Sequence, residues 1–132
     1  MIEVYTDAAA AGNPGPCAAG IIIKNGRSSE EHAVFLGEMT NHEAEFLAVL
    51  HALKICKDIY PGEILSIRSD SQAAVHALDK QYSKNPAFAP ILNQIIEMQA
   101  SFAMVFYKWI PDKTNKNADR VARAELKRNQ QP

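Results

Sequence analysis

Asp7, Glu45, Asp70 and Asp119 stand in four different local settings. Asp7 ends the alternating stretch Ile2-Glu3-Val4-Tyr5-Thr6, and Asp70 ends Ile64-Leu65-Ser66-Ile67-Arg68-Ser69. Glu45 breaks an apolar helical stripe between Ala44 and Phe46, and Asp119 lies beside Ala118 close to Val121 instead of in a solvated charge run. Carboxylates gathered in a partly buried pocket repel one another and raise each other's pKa, so a fold tolerates such a cluster when cations occupy it. The set reads as a two-metal nuclease site, in which ions about 4 Å apart activate a water and stabilise a leaving oxygen. Taken singly, each residue has a local explanation: Asp70 as a helix N-cap, Glu45 and Asp119 as helix-dipole partners, Asp7 as a turn cap. Convergence of all four is what gives the set its chemistry.

That convergence depends on the elements. Ile2 to Thr6 alternates as a strand and runs into small residues and turn formers from Ala8 to Pro16. Ala18 to Lys24 is a second strand, and Asn25-Gly26 predicts a hairpin with positive φ at both turn positions, leading to a third strand from Ser28 to Leu36. Thr40-Asn41-His42-Glu43 fits a capping box, after which Phe46, Leu47, Leu50, Leu53 and Cys56 follow at helical spacing to about Lys57. Pro61-Gly62 precedes a fourth strand ending at Asp70, and Ser71 to Leu78 reads as a short helix. Ile91 to Met98 is an amphipathic helix, Phe102 to Ile110 a fifth strand, and Asn117 to Arg128 a last helix with Ala118, Val121, Ala122 and Leu126 on one face. Asn129-Gln130-Gln131-Pro132 is expected to fray. The order predicts an α/β fold: a five-stranded mixed sheet with a meander at one side and helices on both faces. If strands one and four are neighbours, strand spacing brings Asp7 and Asp70 within a few ångströms, at the sheet edge where open α/β folds gather functional groups.

At 132 residues the chain is expected to be a single domain, residues 1–132, large enough to bury a core without disulfides. Cys17 and Cys56 have no metal-ligand spacing and are expected to be buried, free thiols. With no apolar run of membrane-spanning length and no signal-like N-terminus, a cytoplasmic protein without membrane association is expected, monomeric by default. The net charge is −1, but Lys108 to Arg128 carries seven basic residues against three acidic ones, a face suited to phosphates. A solvated helix face is the ordinary alternative.

Tyr5-Thr6-Asp7 followed by Gly12-Asn13-Pro14-Gly15, then Thr40-Asn41 with Glu45, Ser69-Asp70-Ser71-Gln72, and Trp109 before Asn117-Ala118-Asp119, resembles ribonuclease HI along essentially the whole chain. The resemblance implies the ribonuclease H-like fold and hydrolysis of the RNA strand of an RNA/DNA hybrid with Mg2+ or Mn2+, two ions per site, leaving a 3′-hydroxyl and a 5′-phosphate. It implies that Asp7 bridges both ions, that Asp119 serves the ion on the water side, and that Glu45 and Asp70 serve the other. It also implies hybrid contacts by Gly12, Asn13, Asn41 and Gln72, and a DNA-strand phosphate at Thr40. The local alternatives are a cap for Thr40, a turn residue for Asn13 and a surface amide for Gln72.

Three departures bear on function. Ala8 stands where the family usually has glycine, Asp79 to Pro90 is too short for the basic protrusion of many bacterial members, and Pro111 to Asn117 lacks the histidine found there in many members. His42 also replaces a common asparagine beside Asn41. The three departures predict weak binding or slow turnover and remove no metal ligand; the rival expectation is a ribonuclease H-like nucleic-acid-binding module with little or no catalysis, whose mark would be a lost carboxylate, and none is lost. A proofreading-type exonuclease would show Asp-x-Glu on the first strand, where this chain has Asp7-Ala8-Ala9.

Overall fold

The computed structural model describes residues 1–130. Five strands form one sheet in the order β3-β2-β1-β4-β5: β1 (Ile2–Ala10), β2 (Gly15–Asn25), β3 (Ser28–Met39), β4 (Ile64–Ser69) and β5 (Met104–Trp109). β1 runs antiparallel to β2 and parallel to β4, and β4 runs parallel to β5. Four helices complete the fold: α1 (Asn41–Ile59), α2 (Gln72–Lys80), α3 (Ala89–Gln99) and α4 (Lys116–Gln130).

Alternation along the strands divides the interior between two faces. Val4, Ile21, Ile23, Leu65 and Ile67 join Phe46, Val49, Leu50 and Leu53 of α1 in the larger core, which α2 and α3 complete through Leu78, Leu92 and Ile95. Each of these side chains contributes roughly 1.5–3 kcal/mol by leaving water. Ile22 points the other way and packs with Ala118 and Val121 of α4. The mixed sheet with helices on both faces is therefore as expected.

Several boundaries differ from the sequence reading. β1 continues past Asp7 to Ala10 and β2 begins at Gly15, so most of the small-residue stretch is strand: Ala8, Ala9 and Ala10 pair with Ala19, Ala18 and Cys17. Short side chains weaken the sequence signal for a strand while the backbone ladder remains available to them. The hairpin turn is Gly26-Arg27, since Asn25 pairs with Ser28, and Gly26 alone of the two has positive φ, +60°. A glycine at the first central position of a II′ turn has that property. β3 extends to Met39 and α1 to Ile59, whereas β5 is shorter than expected. Asn129 and Gln130 continue α4, and Asn129 Nδ2 donates to the Glu125 carbonyl at 2.8 Å. The rest of the fraying expectation, at residues 131–132, lies outside the described residues.

Thr40 caps α1: its hydroxyl accepts the Glu43 N–H at 3.2 Å and contacts Glu43 Oε1 at 3.2 Å. The side-chain half of the expected capping box thus runs to the Thr40 hydroxyl. Cys17 and Cys56 are buried and free, and burial lifts the Cys56 thiol to about 12. No helix among the described residues is long and apolar enough to cross a membrane.

Candidate active site

The parallel ladder between β1 and β4 ends at the pair Thr6 and Ser69. Asp7 and Asp70 each follow that last pair, so the two carboxylates leave adjacent strands together. Asp7 is consequently mid-strand in β1, still paired with β2 through Gly20, and not at the strand's end. Glu45 arrives from the first turns of α1, whose start is fixed by the Thr40 cap. Asp7, Glu45 and Asp70 each offer one oxygen, and these oxygens lie within 4.8 Å of one another.

The electrostatics are those of a site short of positive charge. Asp7 is only 5% exposed. Burial first, then the charge of Asp70, raises its pKa to about 7, with Asp119 adding to the rise and the Ala8 N–H, 2.9 Å from Asp7 Oδ1, opposing it. Burial pushes Glu45 well above the usual carboxylate range, and Asp7 and Asp70 push it further. Asp70 is also raised, chiefly by burial, against the donor of Asn115. Glu45 Oε2 is buried without a hydrogen-bond partner. An oxygen-only donor set with an orphaned buried oxygen and mutually repelling carboxylates fits a hard divalent cation.

Asp119 completes the acidic wall from α4. It lies outside the three-carboxylate group, and its Oδ1 accepts from Arg123 Nε at 2.9 Å, but it lines the same cleft of about 830 Å³ as the other three. Gly20 governs how close α4 comes. A Cβ there would stand 2.1 Å from the Ala118 carbonyl oxygen and 2.6 Å from the Ala122 nitrogen. The helix therefore rests on the β2 backbone directly beside Asp7, and Asp119 is carried in with it.

The expected substrate contacts divide. Asn41 and Gln72 line the cleft with the carboxylates, as does Ala8. Gly12, Asn13 and Thr40 do not line it. Asn13 Oδ1 accepts the Asn41 N–H at 3.0 Å, which ties the Gly12 loop to the start of α1. Gly12 has φ +108°, a backbone conformation that favours glycine. Thr40 is engaged as a cap.

Three residues that the site reading omitted support its geometry. Gly20 had a signal, a glycine within an apolar strand, which marks a close backbone approach. Trp109 served only as a landmark; its Nε1 donates to the Asp70 carbonyl at 3.1 Å. Asn115 lies in the stretch Pro111 to Asn117 between β5 and α4, yet it is buried and donates to Thr6 O at 2.8 Å. Nothing local in the sequence distinguishes that asparagine from a turn residue.

The sequence matches the RNase H family over residues 1–127. The chain belongs to the ribonuclease H family. EbsB of Enterococcus faecalis is 35% identical over 130 residues, covering 97% of this chain and 96% of EbsB. Ribonuclease H of Aromatoleum aromaticum is 31% identical over 140 residues, covering 93% and 88%. Among solved structures, RNase H1 from Halobacterium salinarum aligns with a TM-score of 0.88 at 28% identity, over 96% of this chain and 98% of that one. LC11-RNase H1, in complex with an RNA/DNA hybrid, aligns with a TM-score of 0.92 at 25% identity, over 99% and 100%. Within this ribonuclease H fold the departures are visible in space. Residues 81–88 join α2 to α3 with only the turn Pro86–Phe88 in place of a protrusion, and the turn Asp112–Thr114 brings Asp112 and Lys113 to the site.

Proposed function

We propose that the protein hydrolyses the RNA strand of RNA/DNA hybrids, using two divalent ions, Mg2+ or Mn2+, and leaving 3′-hydroxyl and 5′-phosphate ends. The observation that carries this is the meeting of Asp7, Glu45 and Asp70 oxygens within 4.8 Å, with Glu45 Oε2 buried and unpartnered. The hybrid bound by LC11-RNase H1 supports the substrate class. Asp7, central to the cluster, is the residue that would serve both ions, with Asp119 on one side and Glu45 and Asp70 on the other. Bound divalent ions supply a water activated at neutral pH and charge stabilisation at the leaving oxygen.

The chain's own residues do the positioning. Burial and the neighbouring carboxylates raise the pKa of Asp7 and Glu45, so a bound cation would favour their ionised, ligating forms. Asn41 and Gln72 face the cleft from two helix starts, where side-chain amides can bond 2′-hydroxyls of a shallow minor groove. Asn13 and Gly12 hold the loop against Asn41, and Thr40 offers the α1 N-terminus to a DNA-strand phosphate. The acting unit in this reading is a monomeric, single domain over residues 1–132, with all four carboxylates on one chain. A reducing cytoplasmic setting suits the two buried thiols.

A second reading has its own observation. Asp119 is engaged by Arg123, and alanine instead of glycine stands at position 8 on the cleft wall, which favours a module that binds hybrids with little or no turnover. The deciding experiment incubates purified protein with labelled RNA/DNA hybrid in Mg2+ and in Mn2+ beside Asp70→Asn. Cleavage of the RNA strand above the Asp70→Asn background establishes the enzyme. Retention of hybrid without such cleavage in either metal establishes the binding module.

A further inference from the structure

We infer that Asn115 is a positioning residue of the metal centre, fastening together the three segments that carry Asp7, Asp70 and Asp119; this rests on the metal-dependent reading above. Asn115 is 1% exposed, rare for an amide side chain. Its Nδ2 donates to the Thr6 carbonyl at 2.8 Å and to Asp70 Oδ2 at 3.4 Å. Its own carbonyl accepts the Asp119 N–H at 3.1 Å. One residue thus grips the peptide before Asp7, the Asp70 carboxylate itself and the first turn of the helix bearing Asp119.

The chemistry of the side chain suits this task. Two acceptors on one nitrogen settle the amide's orientation, because the reverse placement would set Oδ1 against a carbonyl and a carboxylate. A neutral donor orients Asp70 without bringing a charge that would compete with a bound cation, as a lysine would. Asn115 Oδ1 is buried with no partner, a cost that filling space alone does not explain. A residue kept at that cost, with its donor on a candidate ligand, acts as outer-shell partners of metal ligands do.

The test compares wild type, Asn115→Ala and Asn115→Ser by Mn2+ titration calorimetry, thermal melts and hybrid cleavage. Serine is too short to span Thr6 O and Asp70 together but suits the turn that leads into α4. In the folded variants Mn2+ affinity falls by about tenfold or more, and kcat falls while KM for hybrid stays within about twofold. Raising Mn2+ restores part of the lost kcat, which it would not do for a residue that only fills the core. A folded variant with wild-type Mn2+ affinity overturns the inference, as does failure of both variants to fold by near-ultraviolet circular dichroism. Wild type that binds Mn2+ but leaves hybrid intact refutes the nuclease reading while the affinity contrast still decides the role of Asn115. Wild type without measurable Mn2+ binding overturns both.

Discussion

At the residue scale the site is a stored electrostatic conflict, and its consequences are measurable without substrate. The pKa of Asp7, raised to about 7 from its ordinary 3.8, means the folded state holds a proton more tightly than the unfolded chain. The stabilisation is complete below about pH 4 and is lost as pH rises through about 7. Glu45, raised by the same causes, acts in the same direction. In metal-free buffer, stability is expected to fall from about pH 4 to pH 8 by roughly 2–4 kcal/mol, read from melting curves in chelator. Asp7→Asn flattens that decline and melts above wild type at the alkaline end, and saturating Mg2+ offsets it in the wild type. Activity moves oppositely: Asp7→Asn, Glu45→Gln, Asp70→Asn and Asp119→Asn each abolish metal-dependent cleavage with the fold intact by circular dichroism. Wild-type rates in any two of them would refute the assignment. If the Ala8 methyl hinders the RNA backbone, Ala8→Gly raises kcat on hybrid, and an unchanged kcat would show that the methyl is no obstacle.

Elements decide whether the carboxylates meet. α4 rests on β2 at Gly20, the register partner of Asp7, with no room for a methyl group. Gly20→Ala forces Ala118 and Ala122 away from the sheet, withdrawing Asp119 and costing about 1–3 kcal/mol or more as overpacking. The expected result is a lower melting temperature together with loss of cleavage. Gly26→Ala is the control, since a Cβ there meets nothing within 4 Å and strains only a positive-φ turn. It should cost about 1 kcal/mol and leave cleavage per folded molecule unchanged. Retained activity in a folded Gly20→Ala protein would show that Asp119 does not depend on this contact.

Over the whole molecule, the basic C-terminal stretch is less free than its count suggests. Arg120 pairs with Glu31 on β3, Arg123 with Asp119 and Arg128 with Glu125, which leaves Lys108, Lys113, Lys116 and Lys127 without ion pairs among the described residues. Lys113 and Lys116 line a recess shared with Asp70 and Asp119, where phosphates of a hybrid would pass. Binding should therefore be weak. Counterion release by at most these four lysines gives a log–log salt slope no steeper than about −4, measured by fluorescence anisotropy with Ca2+ to suppress turnover. A steeper slope would show that the paired arginines rearrange onto the substrate. DNA duplex and single-stranded DNA should remain uncut under conditions that cleave hybrid, because the amides at the cleft have no 2′-hydroxyls to bind there.

The sequence by itself determined the element order and the two-faced core, and it singled out the carboxylates Asp7, Glu45 and Asp70 that the structure brings together. Those follow from local signals: alternation in Ile2 to Thr6, the Thr40 cap, apolar spacing through α1, and acidic residues set among apolar ones. It misplaced Asp7 at a strand end because alanines carry little strand signal, and it set the hairpin turn one residue early because Asn25-Gly26 is the stronger dipeptide pattern. Only the tertiary structure decided that Asp7 and Asp70 leave the sheet together, that α4 descends onto Gly20, that Arg123 engages Asp119, and that Asn115 bridges Thr6 to Asp70. Asn115 stands 109 positions from Thr6 in the chain, so no local window contains both partners. Periodicity records which side of an element is buried, whereas a site is made by what the other elements place against that side.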